Sequence, residues 1–431
     1  MFKLVIIQLI KKGNIMKFAH LADTHLGYRQ FGLIEREKDF YEVFGKVIDK
    51  IIEEKVDFVI HSGDLFETEK PSPMALLEFQ RGLLKLKGAG IPMYAIAGNH
   101  DSAVRKGAIP PQVIFKKMGL KVISPINTNY MHGDVFIAGL PFYPASKSNV
   151  LKSKLVDLSK KAAEHEKSIL VLHQGIDTYL NIQYELEIGD IPDNFNYYAL
   201  GHIHKYIASD FGKGKLVYPG SAEIWKTDEL KDYHENGKGF VVVDLDGPKP
   251  QIKRVKIDIP RVFIERSLDY NNLDSGIAGI KETIKDYDKQ PILKLNINNV
   301  DSDTGYVYDM IKEELGDLSL MIRPTFNMVG EESIDDIIVH TESVGPKELI
   351  IEKLEDYEDK DVEKLAIELY DYLSKDKLEE SQVLIDQFFI EKYNTSKDDE
   401  EIKTEETLHD EAEEETPESK DIQVTFKEVL E

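Results

Sequence analysis

A chain of 431 residues that is 42% apolar is long enough for two or three domains and for a substantial core in at least one of them. It has no cysteine, which excludes disulfide frameworks and thiolate zinc sites and leaves His, Asp, Glu, Asn and water to hold any metal. The net charge of −25 argues against a polyanionic partner when taken whole, but residues 16–259 balance 32 basic against 32 acidic side chains, whereas 260–395 carry −17 and 396–431 carry −11. The neutral part can therefore approach phosphate, and the acidity belongs to partners or regulation.

Residues 1–15 show no pattern that a domain needs and read as an extension, with Met16 the expected native start. The apolar stretch from Leu4 to Ile10 is followed by Lys11 and Lys12 and by no small-residue cleavage site, so neither secretion nor a membrane span is expected. From Lys17 to Ala22 runs a strand that delivers Asp23 and His25. Helical spacing over 35–55 leads to a second strand, Phe58–Ile60, ending at Asp64. Pro71-Ser72-Pro73 opens another helix, and the strand Met93–Ala97 feeds Asn99 and His100. Short apolar runs at 168–172 and 197–200 end at His173 and His202. A closing hairpin is expected around Asp246-Gly247, with a boundary at Pro260. Beyond it, strands near 262–264, 292–297 and 318–322 and helices near 273–287 and 302–315 suggest a small α+β domain over 260–345. Residues 346–393 have helical periodicity with wide apolar stripes that need a cover. The acidic stretch 394–431 is expected to be largely disordered.

Five motifs thus follow one another in order: Asp23-Thr24-His25, Gly63-Asp64, Gly98-Asn99-His100-Asp101, His173-Gln174-Gly175 and Gly201-His202-Ile203-His204. Oxygen and imidazole ligands at strand ends are how a β-scaffold gathers two divalent metals into one rigid site. Motif matching makes Asp64 the bridge, with Asp23, His25 and His204 on one metal and Asn99, His173 and His202 on the other. His100 is the expected catalytic residue, reaching the phosphate or the leaving-group oxygen while Asp101 orients its ring; the alternative for His100 is support of the ligands alone. His20 and His61 lie inside strand runs and read as core histidines.

The runs His20–Tyr28, Ser62–Phe66, Pro71–Pro73, Gly98–Asp101, Ala199–Lys205 and Tyr218–Ser221 resemble the calcineurin-like metallophosphoesterases. More narrowly, they resemble the archaeal DNA double-strand break repair nucleases of the meiotic recombination eleven type, over about residues 16–240. The resemblance implies an α/β fold: a two-sheet metallophosphoesterase sandwich flanked by helices over 16–259, an α+β capping, DNA-binding domain over 260–345, and C-terminal helices. It further implies two Mn²⁺ per subunit, 3′-to-5′ exonuclease and single-strand endonuclease action on DNA ends, and a homodimer. A coiled-coil ABC-type ATPase partner of the SMC kind would grip residues 346–393, and the helix at 73–88 could supply the dimer bundle. A cytoplasmic, nucleoid-associated location follows. One departure stands out: where the family often has a second catalytic histidine, three residues beyond the bridging aspartate, this chain has Glu67. The alternative from the same superfamily is a metallophosphatase acting on nucleotide or phosphoprotein monoesters; from another class, it is an adaptor that holds DNA ends without cutting.

Overall fold

The structure, a computed structural model, describes residues 16–102, 109–180, 182–328, 360–373, 381, 383–385 and 387–388. The expected N-terminal extension and acidic tail, and most of the second C-terminal helix, lie outside them. By compactness the chain divides into Met1–Ile337 and Ile338–Glu431.

In the first unit, β1 (Lys17–Leu21), β2 (Phe58–His61), β3 (Met93–Ala95), β4 (Lys121–Val122), β11 (Lys238–Asp244) and β12 (Gln251–Ile257) form one sheet in the order β12-β11-β1-β2-β3-β4. A second sheet holds β5 (Asn129–His132), β6 (Val135–Gly139), β7 (Lys167–His173), β8 (Tyr197–Gly201), β9 (Ile207–Phe211) and β10 (Gly214–Tyr218), in the order β5-β6-β7-β8-β10-β9. Both sheets are mixed. β1, β2, β3 and β4 run parallel, as do β6, β7 and β8, while β11 and β12 close the first sheet as the antiparallel hairpin expected around Asp246-Gly247.

The strands of both sheets are buried along nearly their whole length where they face one another. Phe18, Phe58, Ile60, Tyr94, Val171, Tyr197 and Val241 share one cluster between them. The outer face of the first sheet is covered by α1 (Ile34–Glu53) and α2 (Pro73–Gly88), that of the second by α3 (Ser148–Ala162). In α1, Phe40, Val43, Phe44, Val47, Ile48 and Ile51 recur at helical spacing and are all buried. Ser72 caps α2, its hydroxyl accepting from Ala75 N at 3.1 Å, with Pro73 at the first helical position. The result is an α/β sandwich of two sheets between helices.

After the short helix α4 (Leu230–Asn236), a third layer holds β13 (Phe263–Asp269), α5 (Leu273–Ile284), β14 (Ile292–Val300), α6 (Thr304–Leu315) and β15 (Met321–Met328) around its own core. Expected as α+β, this layer has all three strands parallel, joined by α5 and α6. The last strand begins later than its apolar residues suggest: Gly316–Leu318 form a 3₁₀ turn, and pairing with β14 starts at Ile292↔Met321. Phe263 and Ile292 pack with Ile224 and Leu230, which lie on the segment after the second sheet.

In the second unit, α7 (Lys360–Leu373) lies within the 346–393 segment, much of which is outside the described residues, and Leu365, Ala366, Ile367, Leu369 and Tyr370 are half-buried. No helix among the described residues is long and apolar enough to cross a membrane.

Candidate metal centre

Each predicted ligand lies at, or just beyond, the carboxyl end of a parallel strand: Asp23 and His25 after β1, Asp64 after β2, Asn99 after β3, His173 as the last residue of β7, His202 and His204 after β8. The register of the two sheets brings these ends to one edge of the sandwich. The loops are tied together by backbone bonds, Asp23 N to Gly63 O at 3.1 Å and Thr24 N and His25 N to Asp64 O at 3.0 and 3.1 Å. Asp23, His25, Asp64 and His202 all have positive φ, at 52°, 45°, 52° and 92°. Such conformations cost about 1–3 kcal/mol each for residues with a side chain and persist only where surrounding structure enforces them, typically at functional sites.

All seven predicted ligands converge. The donor atoms of Asp23, His25 and His204 lie within 4.8 Å of one another, as do those of Asp23, Asp64 and His173. Asp64 Oδ2 is 3.2 Å from His173 Nε2 and 3.8 Å from His25 Nε2, between the two groups, where a bridging carboxylate belongs. Asn99 Oδ1 sits 3.0 Å from His173 Nε2 and 2.9 Å from His202 Nδ1.

The tautomers expose what these atoms lack. His25 Nδ1 donates to Glu67 Oε2 at 2.8 Å and His204 Nδ1 to Glu229 Oε1 at 2.9 Å. In the neutral rings both Nε2 atoms therefore carry lone pairs, and they face each other at 3.1 Å. His173 Nδ1 donates to the Ser62 carbonyl at 2.8 Å, which turns its Nε2 lone pair toward the oxygens of Asn99 and Asp64. With the rings neutral, acceptors meeting acceptors in a buried pocket repel unless positive charge lies between them; a proton supplies it at His173 in the metal-free protein, and two divalent cations would supply it when bound. A set of imidazole, carboxylate and amide donors without sulfur suits first-row divalent ions such as manganese. Burial disfavours charge on His173, but the Asp64 carboxylate beside it prevails and pushes its pKa up to about 9. Burial holds His202 down at about 3, with His173 adding to the effect.

His100 borders this cluster. Its Nδ1 donates to the Glu67 carbonyl at 3.1 Å, and its backbone N–H holds Asp64 Oδ1 at 2.9 Å. Contrary to expectation, Asp101 does not orient the His100 ring. Its carboxylate is wholly buried and accepts from the backbone of Leu65 (2.7 Å), Phe66 (3.1 Å) and Gly98 (2.7 Å), locking the Asp64 loop to the Asn99 loop. Glu67 Oε2, besides accepting from His25, accepts from Trp225 Nε1 at 3.1 Å. His20 and His61 are core residues as expected; His20 bonds Tyr197 and Ser62, His61 bonds Thr24, and burial drops both to about 3.

Sequence reasoning missed Trp225, Glu229 and Lys238. Trp225 stacks on His25 with ring centroids 5.3 Å apart and lies edge-on to His100 and His204 at 5.4 and 5.1 Å. Lys238, fully buried, pairs with Glu229, whose carboxyl its charge and His204 hold well below the usual range against the opposing effect of burial. The position of Trp225 four residues beyond the Tyr218–Ser221 motif was the available signal. Of the basic residues near the motifs, Arg29 pairs with Glu37, Lys147 and Lys205 are exposed, and Arg105 and Lys106 lie outside the described residues.

Residues 16–206 match the family model described as calcineurin-like phosphoesterase. The chain is similar to DNA double-strand break repair protein Mre11 of Methanococcus maripaludis, 33% identical over 336 residues that cover 76% of this chain and 88% of that one. The protein of the same name from Methanocaldococcus jannaschii is 43% identical over 253 residues, covering 58% and 69%, and that from Sulfurisphaera tokodaii 38% over 282 residues, covering 64% and 72%. With the sandwich, the converging ligands and this kinship together, the chain belongs to the Mre11 family of DNA double-strand break repair proteins, within the calcineurin-like phosphoesterases.

Proposed function

We propose that this protein is a manganese-dependent DNA nuclease that trims double-strand break ends as a 3′-to-5′ exonuclease and single-strand endonuclease. It acts as a homodimer with a coiled-coil, SMC-like ABC ATPase bound through residues 346–393. The observation that carries the chemistry is the convergence of His25 Nε2, His204 Nε2, His173 Nε2, Asn99 Oδ1 and Asp64 Oδ2 in one pocket. DNA ends as substrate rest on the kinship with double-strand break repair proteins.

Asp23, His25 and His204 would hold one cation, Asn99, His173 and His202 the other, with Asp64 shared between the two groups. When bound, the pair supplies Lewis-acid polarisation of the phosphate and a nucleophilic oxygen at neutral pH. The protein contributes placement. Asp101 fastens the loops that carry Asp64 and Asn99, so the donor positions are set before substrate arrives. With His100 Nδ1 committed to the Glu67 carbonyl, Nε2 is the free nitrogen of a ring one-quarter exposed, available to the phosphate or the departing 3′ oxygen.

Two carboxylates behind two ligating histidines are support for metal binding, and the half-buried apolar face of α7 supports a docked partner in that region. The decisive experiment compares cleavage of 3′-labelled duplex DNA with hydrolysis of a phosphomonoester, each in Mn²⁺, Mg²⁺ and Zn²⁺. Efficient turnover of the monoester with inert DNA would overturn the nuclease reading. Truncation after residue 345 should leave cleavage intact and abolish co-purification with the ATPase; a truncated form that still co-purifies would overturn the partner site.

A further inference from the structure

The histidines on the two sides of Asp64 differ in what stands behind them. Behind His25 and His204 are carboxylates, Glu67 Oε2 at 2.8 Å and Glu229 Oε1 at 2.9 Å. Each carboxylate is itself anchored, Glu67 by Trp225 Nε1 at 3.1 Å, Glu229 by Ser221 Oγ at 2.9 Å, the Lys226 backbone at 3.0 Å and buried Lys238. His173 Nδ1 donates to the neutral Ser62 carbonyl at 2.8 Å with Asp23 Oδ1 no nearer than 3.9 Å, and Glu185 stands 4.0 Å from His202. A carboxylate behind a ligating imidazole fixes its ring and raises its basicity more than a carbonyl does, and loss of such a partner typically weakens metal binding 10–100-fold.

Resting on the two-cation reading above, we infer that Glu67 and Glu229 are positioning residues that make the Asp23–His25–His204 position the tighter one, filled before the Asn99–His173–His202 position. Glu67 thus has a role that a histidine could not fill at that point in the chain. A histidine there offers no anion to His25 Nδ1. Because Glu67 also holds His100 through its main-chain oxygen, filling of the first position and placement of His100 depend on the same residue.

Trp225 provides the readout. It is the only tryptophan of the chain and its ring lies 5.3 and 5.1 Å from the rings of His25 and His204, so paramagnetic Mn²⁺ in that position should quench its fluorescence. Mn²⁺ is titrated into the chelator-stripped full chain while fluorescence and heat are followed together. The expected result is a tight event that completes the quench near one equivalent, then a weaker event. Glu67→Gln keeps volume and an acceptor oxygen but removes the charge, and should weaken the tight event by 10–100-fold while leaving the weaker one in place. Asn99→Ala should remove the weaker event and keep the quench. A quench that tracks the second event, equal affinities, or a Glu67→Gln effect that is absent or equal at both positions would overturn the inference and leave the two-cation reading standing. Failure of the wild-type chain to bind any Mn²⁺ would instead overturn that reading itself.

Discussion

Gly98 precedes the proposed ligand Asn99, and its Cα faces Asp64. A Cβ built there would stand 2.7 Å from Asp64 Cγ, and still nearer the Asp64 backbone nitrogen and Oδ1. Carbon atoms rest about 3.5–4.0 Å apart, so Gly98→Ala must drive the two loops apart by about 1 Å. Relief by rotating Asp64 is blocked, because its Oδ1 is held by His100 N and the Asp101 carboxylate bolts Gly98 N to Leu65 N and Phe66 N. A displacement of this size at a reacting centre costs about 10²-fold in rate, and functional groups generally need to be held within about 0.5 Å. Since the φ of Gly98 is not positive, the backbone itself tolerates alanine and the loss would be purely steric. Single-turnover cleavage of 3′-labelled duplex, with Mn²⁺ stoichiometry measured in parallel, is the assay. Gly45→Ala on α1, where a Cβ meets nothing within 4 Å, is the control and should stabilise by about 0.5–1 kcal/mol. Full activity and two bound cations in Gly98→Ala would refute the argument that close approach of this backbone to Asp64 is what sets the bridge.

Other outcomes follow from the same geometry. His100→Ser should abolish cleavage while sparing Mn²⁺ binding, whereas Asp64→Ala should lose both cations; equal metal loss in the two variants contradicts that division of roles. In the metal-free protein His173 titrates near 9, above its unfolded value of roughly 6.5, so its contribution to stability is full below about 6.5 and disappears as pH rises through about 9. A cation needs the ring neutral, so loading should release a proton in this window and tighten roughly tenfold per pH unit. Calorimetry in buffers of different ionisation enthalpy counts that proton, and a count of zero would speak against it. Arg36 is wholly buried and donates to Gln30, Asp39, Glu223 and the Ile224 carbonyl; Arg36→Met should cost about 3–5 kcal/mol by stranding Glu223. An unchanged chemical denaturation midpoint would show that the network is dispensable.

The local pattern of the chain was enough to single out the residues that converge at the candidate metal centre. Asp23, Asp64, Asn99, His173 and His202 each follow a short apolar run, and a strand's end is where its side chains leave the sheet, so each ligand and its place were legible without knowing which strand lay beside which. The helices α1 and α2 were legible for the same reason, because burial of one face imposes a 3.6-residue period. Strands β5, β9 and β10 carried no such mark: they lie at or near the rim of the second sheet, and in β5 and β9 partial exposure replaces the apolar run. What stands behind the ligands could not be read at all. Glu67 reaches His25 from 42 residues away and Glu229 reaches His204 from 25, while Asp101, next to His100, turns from it to three backbone amides. Sequence alone thus determined which residues meet at the candidate site, since strand ends and donor types are local properties. Only the tertiary structure decided which carboxylate orients which imidazole, because hydrogen bonds are made to whatever group the packing of distant loops brings within 3 Å.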